Sequence, residues 1–196
     1  MFMRKKKLYC ICGQSASGKD TLVNDLVNRY PDKLKTVCSY TNRPKRDNET
    51  EGKEHYFVSK VDFDILMKTN PENILAYTKI CSDECPNGYE YMALDSELDK
   101  ANVYIIDPRG IKYLKEKYSD KYNIVVIYIH ANYEQRKARA KASRSDFEAE
   151  FEKRAKAENE QFRDFIENRE YDYIVFNSDD SYQSSSFMLA ILLDVI

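Results

Sequence analysis

The sequence predicts an α/β fold of three layers, with a parallel central sheet between helices, an inserted mixed α/β subdomain and a helical lid. Three observations lead to that class. A glycine-framed segment, Gly13-Gln-Ser-Ala-Ser-Gly-Lys-Asp-Thr21, follows the apolar run Leu8 to Cys12 directly and passes straight into the helical pattern Thr21 to Tyr30. Strand, glycine loop and helix in that order form the context of a phosphate-binding loop. Apolar runs then alternate with helix-like stretches, as they do where parallel strands are joined by crossover helices. The alternation breaks once, between about residues 39 and 99, where Tyr, Asn, Asp and Pro accumulate.

Taken in order, the elements are a strand at 7–12, a helix at 19–30, a strand at 35–39, the inserted segment with a helix at 60–69, a strand at 103–107 (Val-Tyr-Ile-Ile-Asp), a helix at 110–118, a strand at 124–130, charged helices through 133–168, a strand at 172–176 and a helix at 181–194. The stretch 133–168 has no strong apolar face before Phe147 and Phe151. The last helix is amphipathic and is expected to cover an exposed face of its own sheet. One domain therefore spans 1–196, with a core of 1–38 and 100–196, an insertion at about 39–99 and a lid at about 136–154. Ligands in such sheets bind at the carboxyl ends of the strands, where Gly13, Asp107 and Asn177 fall.

Charge and composition restrict the partners. Lys and Arg total 31 against 33 Asp and Glu, so no net basicity points to nucleic acid. The basic run Arg4 to Lys7 precedes an apolar stretch too short for a signal peptide, and no run is long enough to span a membrane. The five cysteines (10, 12, 38, 81 and 85) form an odd set without a secretory signal, which reads as reduced thiols in the cytoplasm. Cys81 and Cys85 have only His55 and His130 to complete a zinc set, too few ligands for the usual four. The chain is expected as a monomer or homodimer.

In the loop, Gly13 and Gly18 let the backbone curl so that the N–H groups of Ser15, Ala16 and Ser17 and of the helix start face an anion. Lys19 then reaches the phosphates as a mobile point charge. The usual pattern ends Gly-Lys-Ser/Thr, with the hydroxyl on Mg²⁺; here Asp20 holds that place and Thr21 follows. A carboxylate oxygen suits Mg²⁺, so Asp20 is the expected metal ligand.

The insertion carries a second motif, Ser39-Tyr-Thr-Asn-Arg43-Pro-Lys-Arg46, followed by Glu49, Gly52 and His55-Tyr56-Phe57-Val58-Ser59. Two arginines three apart around a proline can present two guanidinium forks to one tetrahedral anion. On composition alone the same residues also suit a solvated charged loop. With the phosphate loop, Asp107 to Gly110, an Arg-rich segment and a strand ending in Asn177, these motifs resemble the guanylate kinases in order and spacing. The resemblance implies a P-loop kinase fold and ATP with Mg²⁺ as donor, Lys19 and Thr21 lying on its phosphates and Asn177 near its adenine. It puts Arg43 and Arg46 on the acceptor phosphate and Ser39 at its base. His55, where a tyrosine is common, Tyr56 and Tyr89 are further acceptor-side contacts. Asp107 orients acceptor or metal-bound water, with a helix cap as its alternative role. Arg144 and Arg154 are the lid arginines that match best, while at least two of Arg136, Arg139, Arg144 and Arg154 are expected to be solvated.

The implied reaction is ATP plus GMP or dGMP to ADP plus GDP or dGDP, with Lys19, Arg43, Arg144 and Arg154 as catalytic residues. Such a reaction needs alignment and charge neutralisation more than side-chain chemistry. Closure of insertion and lid over both substrates is expected to exclude water. One departure bears on the acceptor: Leu75 stands where the family's guanine-reading glutamate is expected, with Glu72 a few residues early, and the loop Cys81 to Asn87 runs long. Another nucleoside monophosphate or a phosphorylated sugar is the alternative acceptor. A non-catalytic guanylate kinase-like binding module is the alternative role, and retention of Gly13, Gly18 and Lys19 counts against it.

Overall fold

A computed structural model of the chain describes residues 5–46, 49–53, 55–80, 87–143, 147–178 and 181–196. In chain order the elements are β1 (Lys6–Cys12), α1 (Lys19–Arg29), β2 (Ser39–Thr41), β3 (His55–Phe57), α2 (Lys60–Thr69), β4 (Ile74–Ile80), β5 (Tyr89–Leu94), α3 (Ser96–Lys100), β6 (Val103–Ile105), α4 (Pro108–Tyr118), β7 (Tyr122–His130), α5 (Tyr133–Ser143), α6 (Phe147–Glu167), β8 (Tyr173–Phe176) and α7 (Tyr182–Leu192). They fall into two compact units, one of Met1–Lys35 with Val103–Ile196, the other of Thr36–Asn102.

The first unit is built on a sheet of order β6–β1–β7–β8, parallel throughout, in which Tyr9 lies opposite Val103 and Val125. Both faces are covered, which is why β1 reads as a continuous apolar run and not as an alternation. On one face Tyr9, Ile11, Ile127, Ile129 and Val175 pack against Leu22, Val23 and Leu26 of α1 and Leu189 of α7. On the other, Tyr128 meets Phe162 and Phe165 of α6 at ring separations of 6.1 and 5.8 Å. Cys10 and Cys12 are buried free thiols, and burial pushes the Cys10 thiol up to about 12. The last helix does cover its own sheet, burying Ser185, Ser186, Leu189 and Ala190.

The second unit holds a mixed sheet of order β3–β2–β5–β4, with β2 parallel to β3 and β5 antiparallel to both β2 and β4. Helix α2 starts at Ser59, whose hydroxyl accepts from the Asp62 N–H, and it buries Phe63 completely. The strand expected at 35–39 lies at Ser39–Thr41 and belongs to this second sheet, so the central sheet has four strands among the described residues. Beside the central sheet, the carbonyl of Lys35 accepts from the Val103 N–H. A β-branched run reads the same in either sheet, and the partners across the ladder decide which one it joins.

Candidate functional site

The loop after β1 has two left-handed residues, Ala16 at φ 59° and Gly18 at φ 83°. Alternating backbone hands of this kind turn successive N–H groups toward one point, an anion-binding concavity next to the positive end of α1. Gly18 is required twice over, because a Cβ there would sit 2.4 Å from Asn177 Nδ2 as well as paying the left-handed penalty. Lys19 and Asp20 open the helix with Nζ and Oδ2 3.3 Å apart; the Lys19 side chain is 18% exposed and that of Asp20 65%.

The walls of the loop come from distant sequence. Arg136, almost fully buried, donates from Nη1 to the Ser15 carbonyl at 3.3 Å. Arg139 donates to the carbonyls of Ser17 at 3.1 Å and Asn177 at 2.9 Å. Asn177 donates from Nδ2 to the Ser17 carbonyl at 2.8 Å, and its backbone N–H reaches the His130 carbonyl. From α6, Glu158 Oε2 accepts from the Ser15 N–H at 2.8 Å and its Oε1 from the Ser15 hydroxyl, while Asn159 accepts from Gln14 Nε2 at 2.8 Å. Among the described residues, three buried polar atoms beside the loop lack a partner: Ser17 Oγ, Arg136 Nε and Asn177 Oδ1. Burial, with the positive Arg136 adding to it, holds the His130 imidazole below its ordinary value.

The second unit gathers a different set. Arg43 is buried on β2's exit, with Nη1 and Nη2 donating to the two Glu49 oxygens at 3.0 and 2.7 Å, Nη1 also to the Pro44 carbonyl and Nε to the Tyr91 hydroxyl at 3.1 Å. The Arg46 N–H donates to Glu49 at 2.8 Å, and the Arg46 side chain is exposed. Hydrogen bonding from Arg43, reinforced by the Arg46 N–H and opposed by burial, holds the Glu49 carboxyl down at about 2. Ser39 Oγ and His55 Nδ1 are 2.8 Å apart, and the His55 ring meets the edges of Phe57 and Tyr91. These residues share a face because β2, β3 and β5 pair Ser39 with His55 and Thr41 with both Phe57 and Tyr91.

Not every expected residue joins these groups. Tyr56 stacks on Tyr40 at 4.8 Å, one residue out of phase with His55, so it faces the other side of the sheet. It is Tyr91, not Tyr89, whose hydroxyl meets Arg43. Asp107 is the N-cap of α4: it accepts from the Gly110 N–H and from Gln161 Nε2, both at 2.8 Å. Asn177 is committed to the loop backbone, 2% exposed. Leu75 is a buried residue at an irregularity of β4. Arg154 is half-buried on α6, while Arg144, Cys81 and Cys85 lie outside the described residues. Arg136 and Arg139, two of the four arginines of which the sequence leaves at least two solvated, reach the loop. Among the described residues no three His, Cys, Asp or Glu side chains cluster to hold a metal, and no helix is long and apolar enough to cross a membrane.

Residues 5–187 match the sequence profile described as Guanylate kinase. The chain is 28% identical over 181 residues to a guanylate kinase of Clostridioides difficile (strain 630), across 91% of this chain and 83% of that protein. It is also 28% identical over 182 residues to a guanylate kinase of Geobacter metallireducens, across 89% and 82%. A crystal structure of guanylate kinase from Anaplasma phagocytophilum superposes with a TM-score of 0.62 over 99% of this chain and 87% of the other, at 19% identity. At that identity the likeness shows a shared fold, the P-loop kinase arrangement of a parallel sheet between helices.

Proposed function

Because the chain belongs to the guanylate kinase family, we propose that it transfers a phosphoryl group from ATP to a nucleoside monophosphate, GMP or dGMP, giving ADP and GDP or dGDP. The observation that carries this reading is the loop of Gly13 to Thr21, with left-handed Ala16 and Gly18 set directly before α1 and Lys19. Its N–H groups and Lys19 take the donor phosphates. On the acceptor side the exposed Arg46 meets the monophosphate first, and Arg43, held by Glu49 and Tyr91, adds its charge from a fixed position. Ser39 and His55 lie on the same face for the nucleoside. Arg136 and Arg139 hold the loop in shape, and Arg154 with Arg144 supplies lid charge. No general base is assigned, since the acceptor phosphate is already an adequate nucleophile and the work is alignment and charge neutralisation.

Mg²⁺ takes one or two protein oxygens alongside substrate phosphates and keeps several waters. The exposed Asp20 carboxylate, with Thr21 beside it at the start of α1, fits that need. Bound there with ATP, the ion neutralises phosphate charge. On its charge balance, thiol content and lack of an apolar span, we read the chain as a cytoplasmic monomer or homodimer without nucleic-acid or membrane partners.

A second reading keeps the reaction and changes the acceptor to another nucleoside monophosphate or a phosphorylated sugar; the buried, apolar Leu75 favours it, since no carboxylate stands there to accept from a guanine. The test is ADP formation from Mg²⁺-ATP with GMP, dGMP, AMP, CMP, UMP and dTMP, beside Lys19→Ala. Turnover with GMP and dGMP, lost in the variant, is expected. Turnover with a different base selects the second reading, and ATP binding without turnover on any acceptor overturns both.

A further inference from the structure

We infer that Glu158 is a donor-site residue that competes with the phosphates of ATP for Ser15, and so sets donor affinity and ties occupancy of the loop to helix α6. The inference rests on the proposed donor role of the loop. A concavity of N–H groups attracts an anion, and in the free chain the anion found there is the chain's own carboxylate. Glu158 takes both donors of Ser15, the N–H at 2.8 Å and the hydroxyl, with Arg136 Nη1 3.6 Å away. Its neighbour Asn159 takes Gln14, so two successive residues of α6 hold two successive residues of the loop. The side chain of Glu158 is only 20% exposed.

The loop's polar groups are nevertheless incomplete, with Ser17 Oγ, Arg136 Nε and Asn177 Oδ1 buried and lacking a partner among the described residues. The Glu158 carboxylate meets none of these three groups. An arriving polyphosphate needs the same donors and brings like charge against Glu158, still 20% exposed, where repulsion is stronger than in bulk water yet within reach of salt. Glu158 therefore gives up Ser15, and this part of α6 loses its hold on the loop as the nucleotide takes it. A triphosphate carries more charge than a diphosphate, so removing the carboxylate favours ATP over ADP.

The test uses the full chain as wild type, Glu158→Gln, Glu158→Ala and, as a surface control, Glu160→Gln. Each is titrated calorimetrically with Mg²⁺-ATP and Mg²⁺-ADP, with melting curves recorded without nucleotide to confirm folding. Glu158→Gln is expected to bind ATP about tenfold tighter, equivalent to about 1.4 kcal/mol, and ADP by about threefold or less. The KM for ATP falls without a rise in kcat, and Glu160→Gln behaves as wild type. If both Glu158 variants bind ATP no tighter than wild type, or more weakly, the carboxylate is a strut for the loop and the inference is overturned while the donor reading stands. If the wild-type chain does not bind ATP at all, the donor reading falls and takes this inference with it.

Discussion

Replacing Glu49 by Gln isolates the contact between Arg43 and Glu49. The Glu49 carboxylate accepts from both terminal nitrogens of Arg43 and from the Arg46 N–H, and the two side chains are 11% and 8% exposed. Its pKa, about 2 in the fold, lies well below the 4.5 of a free glutamate. At about 1.4 kcal/mol per unit, that difference corresponds to about 3 kcal/mol of stability. Because the folded value is the lower one, this stability is complete above about pH 5, where even the unfolded chain is ionised, and drains away as pH falls toward 2. Glutamine keeps the shape and one acceptor but leaves the buried Arg43 charge uncompensated, a change that costs about 3–5 kcal/mol when a buried pair is broken. Urea unfolding followed by far-ultraviolet circular dichroism provides the assay, at pH 7 and in steps from pH 5 to 2.5. Glu49→Gln should be about 3 kcal/mol less stable at pH 7 and should lose less stability than wild type across the acid steps, so that the two curves converge. Parallel curves, or a loss below about 1 kcal/mol at pH 7, a size typical of exposed pairs, would refute the assignment of the shift to this pair.

Two further substitutions separate the loop from its surroundings. Gly18→Ala puts a Cβ 2.4 Å from Asn177 Nδ2 at a φ of +83°, so Asn177 has to release the Ser17 carbonyl. It should weaken ATP binding and lower the melting temperature, with the left-handed conformation alone costing about 1–2 kcal/mol; calorimetric titration and a melting curve check both. Asp107→Ala removes the cap on the Gly110 N–H and should cost about 1 kcal/mol in urea unfolding. If the acceptor KM is unchanged in that variant, Asp107 is a cap alone; a rise in KM that exceeds the stability effect restores the acceptor role that the sequence suggests.

What the sequence conveys well is whatever depends on local pattern. The glycine loop, the apolar β1, the crossover alternation and the break in it over the insertion are legible because each is a run of neighbours obeying one geometric rule. Long-range partnership is not legible in that way. The run Thr36-Val37-Cys38 gives no sign that the strand beside it joins the second sheet. Tyr89 and Tyr91 both point to one face of β5, and only the register opposite Thr41 selects Tyr91 for Arg43. Arg136 and Arg139 sit in a helix whose composition is that of a solvated surface; their i, i+3 spacing places them on one side, and only the position of α5 relative to the loop turns that side inward. Glu158 is one acid among many in α6, without a local signal of its own.

The two carboxylates that stand in the proposed phosphate sites differ in what they hold, and magnitude decides their fates. Glu49 faces a full positive charge at hydrogen-bond distance on two nitrogens, in a place where both partners are nearly dry, and charge-assisted pairs of this geometry are about twice as strong as neutral ones. An arriving monophosphate gains little by displacing it, because Arg46 is exposed and the Arg43 donors are already matched by Glu49, Tyr91 and the Pro44 carbonyl. Glu158 faces two neutral donors of Ser15, and its nearest cation among the described residues is 3.6 Å away on an Arg136 that already holds the Ser15 carbonyl. In the proposed donor role, a polyphosphate paired with Lys19 would outcompete such a contact, since it would replace both neutral hydrogen bonds and add ionic ones. The first carboxylate is therefore retained through the proposed cycle as part of the acceptor site, whereas the second is exchanged for substrate at the donor site. Salt separates the two cases. Raising ionic strength should narrow the difference in ATP affinity between wild type and Glu158→Gln, which rests on repulsion in a partly open loop, while leaving the stability difference of Glu49→Gln, which rests on a buried pair, nearly unchanged.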